Sequence, residues 1–486
     1  MEKLLSELEK ISSALQPDAA KRKKLLEPVF NYSDDFLNRI SSSPAYQHKK
    51  PENDQILFDP LDEEGTDIHQ ILSVLKSSVD SGGLNPASGN HYGYIPGGGI
   101  YASALGDYIA AVSNRYAGVY ASSPGAVNLE KRLCNWMAEL IGFPSETSGG
   151  YLASGGSIAN LTAIVAARDN AEIEGGLIKK SVVYLTDQSH HCIDKALAIA
   201  GLSSCIIRRV PMDKKFRMIP DKLDEAISVD LEQGLNPWLV VASAGTTDTG
   251  AIDPLVAIAG ITEKYRLWYH VDAAYGGFFM LSDNIRQKMN GIDKADSVVL
   301  DPHKGLFLPY GIGALVVKDV RNLRDSFHFT ASYMQDTAEG LQNYSPAEIS
   351  PELSKHFRGL RMWVPLKLHG IKAFRAAIEE KMLLSQYAWQ LFKDTEGFEV
   401  GPKPELSIFT FRYVSEAGNP DEFNRQLHNN LLEDGKIFLS TTQLNGNFVF
   451  RFAVLSVRTH KKEIEKAVDI IKEAADSLKV VNQAEI

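Results

Sequence analysis

Cysteine is scarce in this chain of 486 residues: Cys134, Cys192 and Cys205 are the only three, and no two of them form a CxxC pair. A disulfide framework and a cysteine-built zinc or redox centre are thereby excluded, and reduced, cytoplasmic thiols are expected. Positive charge is in deficit as well. With 51 Lys and Arg against 61 Asp and Glu, the net charge is −10 and the isoelectric point lies near 5.7, so neither nucleic acid nor a membrane surface is expected as a partner. No apolar run approaches the ~18 residues of a membrane span. The chain opens Met1-Glu2-Lys3 and continues with mixed charge, unlike the apolar core of a signal peptide. Also missing are GxxxxGKS/T, a GxGxxG that opens a helix after a strand, HExxH and GxSxG. Their absence argues against a P-loop NTPase, a dinucleotide enzyme, a zincin and an α/β-hydrolase.

What is present is ordinary for a soluble globular protein: 44% hydrophobic and 23% charged residues, enough chain for two or three domains at about 150 residues each. Leu4, Leu5, Leu8, Ile11 and Leu15 fall at helical spacing, which predicts an amphipathic first helix packed either on its own domain or on a second subunit. Residues 44–99 are rich in Pro, Gly, Ser and Asn and end in Pro96-Gly97-Gly98-Gly99. They predict loops around a short helix at 68–79, with a boundary near residue 100. Short β-branched runs at 182–186, 205–210, 238–243, 267–272, 297–300 and 312–317 then alternate with helix-compatible stretches, the pattern of a largely parallel sheet covered by helices. After about residue 375, strand patterns at 406–413 and 447–454 precede a helix with Ile464, Ala467, Val468, Ile471, Ala474 and Leu478 on one face. These predict a smaller α+β domain.

Ligands of such sheets bind at the carboxyl ends of the strands, and four chemically active groups follow successive predicted strands there. His190 follows 182–186, Thr246 and Thr247 follow 238–243, Asp272 ends 267–272, and Lys304 follows 297–300. Each alone has a plainer reading: a solvated lysine, a turn or cap aspartate, a loop histidine. Together they describe more. A desolvated lysine amine forms a Schiff base with an aldehyde, a buried aspartate needs a cation such as a protonated pyridine nitrogen, and an imidazole stacks on an aromatic ring. Ser154-Gly155-Gly156-Ser157, before the helical run 158–167, offers a phosphate cradle of backbone N–H groups. The combination describes pyridoxal phosphate.

The runs His270-Val271-Asp272-Ala273-Ala274-Tyr275-Gly276-Gly277 and Pro302-His303-Lys304 resemble the group II pyridoxal-phosphate-dependent amino-acid decarboxylases, especially the aromatic-L-amino-acid decarboxylases and their bacterial relatives. Ser123-Pro124-Gly125, Asn160-Leu161-Thr162, Ala244-Gly245-Thr246-Thr247 and 357–363 extend the resemblance from about Asn90 to the end. It implies fold type I, the aspartate aminotransferase-like α/β fold: a seven-stranded, mostly parallel sheet with a small α+β C-terminal domain. The segments would be 1–100, a helical dimerisation arm; 101–375, the coenzyme-binding domain with a mobile catalytic loop at about 325–350; and 376–486, the small domain.

Residue by residue, the resemblance implies a Schiff base on Lys304, Asp272 on the pyridinium nitrogen, His190 stacked on the ring, Ala274 near its other face, and Thr246 orienting both. Gly156 and Ser157 would hold the phosphate, with His303 near phosphate and substrate. Tyr94, Ile95, Pro96 and Tyr310 would wall the substrate side chain; the Gly97-Gly98-Gly99 loop leaves room there or, on the plainer reading, is a simple flexible turn. Tyr333, about 30 residues beyond the lysine, would reprotonate Cα across the interface of a homodimer. Where the family pattern has Asn this chain has Asp301; a carboxylate is repelled by a phosphate dianion, so it is expected to turn away or be bridged by a donor. The function implied is decarboxylation of a small-molecule L-amino acid, aromatic by preference, to the amine and CO₂. The alternatives are an aromatic aldehyde synthase, disfavoured by Tyr333 because relatives with Phe there resemble such synthases; a decarboxylase of another amino acid such as glutamate; an aminotransferase, which needs an arginine such as Arg358 to grip the α-carboxylate; and a catalytically silent coenzyme-binding protein.

Overall fold

The apolar runs become strands of one sheet in the computed structural model, which describes residues 1–328, 344–414 and 419–484. Its strands are β1 (Gly149–Ala153), β2 (Ser181–Leu185), β3 (Ile206–Arg209), β4 (Asn236–Ser243), β5 (Trp268–Asp272), β6 (Ser297–Leu300) and β7 (Gly313–Val317). They lie in the order β1-β7-β6-β5-β4-β2-β3. β7 runs antiparallel to both its neighbours, and every other pairing is parallel.

Alternate residues of each strand enter opposite cores, as the pleat requires. Leu152, Tyr184, Val240 and Val298 join one core, while Tyr151, Val183, Val241 and Val299 join the other, with Ala159, Ala163 and Ala167 of the helix Gly156–Asn170. Six of the seven strands correspond to the predicted runs. β1 does not, because its sequence opens Gly149-Gly150. A Cβ on Gly150 would stand 2.1 Å from the Leu315 carbonyl oxygen of β7, so glycine there serves close approach of two backbones.

The last part of the chain forms an antiparallel sheet of β8 (Phe398–Val400), β9 (Ile408–Tyr413), β10 (Ser440–Leu444) and β11 (Asn447–Ala453), in the order β8-β9-β11-β10. β9 and β11 are the predicted strands; β8 has three residues, and β10 is too polar to read as one. The closing helix is Lys461–Ala484. The long helix Gly359–Lys393 is broken at Gly370, whose φ of 72° interrupts it. At the other end, helices Glu2–Ser12 and Ala19–Arg39 form an arm. Leu4, Leu5, Leu8, Ile11 and Leu15 are each between 52% and 85% exposed, so packing on the chain's own domain is not what covers this stripe among the described residues.

His91 joins the arm's end to the small sheet by a bridge to Phe438, its ring 5.4 Å from the Phe438 ring. It is fully buried, with Nε2 unpartnered among the described residues, and burial lowers its pKa from 6.5 to about 4. The folded chain therefore rejects a proton that the unfolded chain accepts below about 6.5. Its stability contribution is complete above that pH and lost as pH falls towards 4. The urea unfolding midpoint is expected to drop across this window, and His91→Asn to drop less steeply; an unchanged slope would rule out His91 as a source.

Candidate active site

The helix Gly156–Asn170 and the loops after β2, β4, β5 and β6 converge on a cavity of about 310 Å³, within the usual range for a small-molecule site. His190, Thr246, Asp272, Ala274, His303 and Lys304 all line it, as do Gly156 and Ser157. The strand-end rule thus brings the predicted groups to one place.

Lys304 Nζ pairs with Asp301 Oδ2 at 2.9 Å. Burial works to lower the lysine's pKa, but the carboxylates of Asp301 and Asp272 outweigh it and hold the amine above its ordinary value. Asp301 is itself buried, its Oδ1 unpartnered among the described residues. It does not turn away from the cradle: a Cβ on Gly156 would lie 2.8 Å from its Oδ2. The expected bridging donor is Lys304. His303 donates from Nδ1 to the Ile312 carbonyl, and burial keeps its pKa below the usual histidine value.

Asp272 accepts the Ala274 N–H at 3.1 Å and the Asn160 side-chain amide at 3.4 Å. Asn160 also meets His270 at 2.7 Å. Both are completely buried, and the sequence marks neither except within its motifs. Burial pushes the Cys192 thiol up to about 12, leaving it inert beside Asp272.

On the other wall, burial lowers the His190 pKa, opposed by Asp272. Its Nδ1 accepts the Cys192 N–H at 3.2 Å. Thr246 joins this loop through a hydroxyl contact to Thr249 at 2.8 Å and from there to Gln188 at 3.3 Å. Two arginines of the small domain, which sequence reasoning missed, hold these loops. Arg451 on β11 donates to the Thr247 carbonyl, to Ser440 at 2.7 Å and to the Tyr94 carbonyl at 3.5 Å. Arg458 donates to the carbonyls of Gly98 and Gly99 at 2.5 and 3.0 Å, so the expected flexible turn is clamped. The only signal in sequence was an arginine inside an otherwise apolar strand, Phe448-Val449-Phe450-Arg451-Phe452.

The proposed substrate walls lie outside the cavity lining. Tyr94 and Tyr310 are 57% and 56% exposed, and Ile95 is buried in the main core. Tyr310 lies 5.6 Å from His303, ring to ring. Pro96 is buried, and the next residue explains the seating of this loop: a Cβ on Gly97 would meet the His303 carbonyl oxygen at 2.2 Å. Tyr333 lies outside the described residues. Arg358 gives both terminal nitrogens to Glu352, at 2.9 and 2.8 Å, and no arginine lines the cavity among the described residues.

The set fits pyridoxal phosphate: an amine and a carboxylate on one cavity, an imidazole on its wall, and a helix start whose first-turn N–H groups an α-helix cannot satisfy internally. The glycine at its head leaves no side chain in the cradle. Asp301 alone is foreign to an anion site, and Lys304 compensates it. Residues 51–414 match the family model described as the pyridoxal-dependent decarboxylase conserved domain. The chain is 31% identical over 480 residues to an aromatic-L-amino-acid decarboxylase of Bacillus atrophaeus, covering 97% of this chain and 98% of that one. A crystal structure of Oryza sativa TDC with PLP and tryptamine superposes with a TM-score of 0.89 at 27% identity, over 95% of this chain and 99% of that one. That of Rhodiola rosea 4-hydroxyphenylacetaldehyde synthase gives 0.87 at 25% identity, with the same coverage.

Removing one partner of a buried ion pair strands the other. Lys304→Ala is therefore expected to destabilise the coenzyme-free protein by about 2 kcal/mol in urea titration, and Lys304→Ala/Asp301→Asn to recover most of the loss. Equal stability of the single and double variants would show that the pair carries no load.

Proposed function

The chain belongs to the pyridoxal-dependent decarboxylases, and from that premise we propose that it converts an aromatic L-amino acid to the amine and CO₂, with the coenzyme held at Lys304. The observation that carries the reading is the amine of Lys304 and the carboxylate of Asp272 facing one cavity across a glycine cradle.

Pyridoxal phosphate, when bound, supplies a sink for the electron pair left as the Cα–carboxylate bond breaks. Lys304 would hold the coenzyme by its amine, Asp272 would hold the proton on the ring nitrogen, and His190 would lie against the ring. Gly156 and Ser157 offer N–H groups to the phosphate, with His303 beside them; Ala274 and Thr246 keep the ring in place. Tyr333 delivers a proton to Cα, which distinguishes amine formation from oxidation to an aldehyde.

The aromatic preference is supported by the relatives, among them an aromatic-L-amino-acid decarboxylase. The guanidiniums beside Tyr310 and Tyr94 are already committed: Arg361 to Asp107 at 2.7 Å and Arg451 to Asp248 at 3.4 Å. A distal carboxylate such as glutamate's would find no free cation there among the described residues. The aminotransferase alternative loses Arg358 to Glu352.

The arm, residues 1–100, serves a homodimer whose sites lie at the interface: its uncovered leucines need a partner surface. The large domain, 101–375 with the catalytic loop at about 325–350, and the small domain, 376–486, complete the organisation. The scarcity of cysteine suits the cytoplasm.

Two measurements test these readings. The protein loaded with coenzyme, given aromatic, acidic and basic L-amino acids, should release amine and CO₂ from the aromatic ones without peroxide, and Tyr333→Phe should shift the product to aldehyde with peroxide; aldehyde from the unaltered protein would overturn the proposal. Leu8→Glu/Ile11→Glu should halve the mass in sedimentation, and an unchanged mass would remove the arm from the interface.

A further inference from the structure

A line of buried side chains leads away from the back of Asp272. Trp268, His270 and Asp272 occupy alternate positions of β5 and so share one face of the sheet. Ser297 pairs with His270 across the β5–β6 ladder, and Asn160 reaches the same face from the helix Gly156–Asn170. The contacts run Trp268 Nε1 to Ser297 Oγ at 2.9 Å, Ser297 Oγ to His270 Nδ1 at 2.8 Å, His270 Nε2 to Asn160 Oδ1 at 2.7 Å, and Asn160 Nδ2 to Asp272 Oδ2 at 3.4 Å. His270, Ser297 and Asn160 are each no more than 1% exposed.

The ends dictate the direction of every bond. The Asp272 carboxylate only accepts, so Asn160 turns its NH₂ towards Asp272 and, at 3.4 Å, Cys192 Sγ, and its Oδ1 takes the hydrogen on His270 Nε2. In the neutral ring Nδ1 then accepts from the Ser297 hydroxyl, which itself accepts from the Trp268 indole N–H, a group that only donates. A protonated imidazole would break this order, since Nδ1 could no longer accept from Ser297; burial lowers the His270 pKa to about 4, which keeps the ring neutral. The charged and titratable groups around the chain are Asp272, Cys192, His190, Lys304 and Asp301.

We propose that His270 and Asn160 are positioning residues: a neutral, one-way hydrogen-bond chain anchored on Trp268 that orients the Asp272 carboxylate to hold the ring-nitrogen proton of the coenzyme. The amide of Asn160 occupies one carboxylate oxygen and the Ala274 N–H the other, leaving the lone pairs that face the cavity as the free acceptors. The coenzyme assignment is the premise of this role.

The test uses full-length protein loaded with coenzyme labelled with ¹⁵N in its ring. The ¹⁵N shift reports whether the ring nitrogen carries its proton, and fluorescence titration gives the dissociation constant. His270→Phe and Asn160→Ala are each expected to move the shift towards the unprotonated value and weaken binding about tenfold, the size of one or two lost hydrogen bonds. His270→Gln keeps a donor for Asn160 and is expected to stay within about threefold of the parent. If His270→Phe does not fold, Asn160→Ala, which only removes atoms, decides alone. A protonated shift and unchanged affinity in the folded variants would overturn the chain's role while leaving the coenzyme assignment intact. Failure of the parent protein to bind coenzyme at all would overturn that assignment, and this proposal with it.

Discussion

A carboxylate taken out of water must find a positive or donating partner, and that requirement organises this molecule around Asp272 and Asp301. Asp301 is satisfied on one oxygen by the amine of Lys304, and its other oxygen has no partner among the described residues. Asp272 has two N–H donors behind it and a cavity in front. Both carboxylates line the same cavity. Parallel strands supply the rest: because β2, β4, β5 and β6 all end on one side, every loop that carries a chemical group is forced to that side as well.

The large sheet does not complete the site by itself. Its loops are held from the small domain by two arginines, each bonded to main-chain carbonyls. Arg451 ties the loop after β4 to the backbone of Tyr94, a residue in the left-handed region with φ of 51°. Arg458 does the same for Gly98 and Gly99, whose φ values of 85° and 66° favour glycine. Bonds to carbonyls constrain the path of a loop while leaving its side chains free to differ, so specificity can change while the scaffold stays fixed.

Much of this was legible in sequence. Buried strands of a parallel sheet are apolar on both faces, so runs such as Ser297-Val298-Val299-Leu300 announce themselves, and the groups at their ends follow from the topology. What stayed hidden depended on partners distant along the chain. β1 opens Gly149-Gly150 and is absent from the apolar runs; only β7 lying against it makes it a strand. Asn160 and His270 look like ordinary polar residues until helix and strand are placed side by side. The bridging of Asp301 by Lys304 needed a distance, and the arginines needed the small domain docked. Tyr333 lies outside the described residues, so its part rests on the family resemblance.

The reversed strand β7 bears on how the site forms. Lys304 lies in the short return between β6 and β7, an antiparallel pair closed by a dozen residues. Its glycine cradle belongs to β1, which pairs with β7 across roughly 160 residues. Gly155 and Gly313 come so close that a Cβ on Gly313 would meet the Gly155 carbonyl carbon at 2.5 Å. The two halves of the site therefore differ in what closing them costs: the return that carries the lysine closes over a dozen residues, while the wall with the glycine cradle depends on a pairing roughly 160 residues apart. A change that loosens β1 against β7 opens the cradle and leaves Lys304 in its own short return.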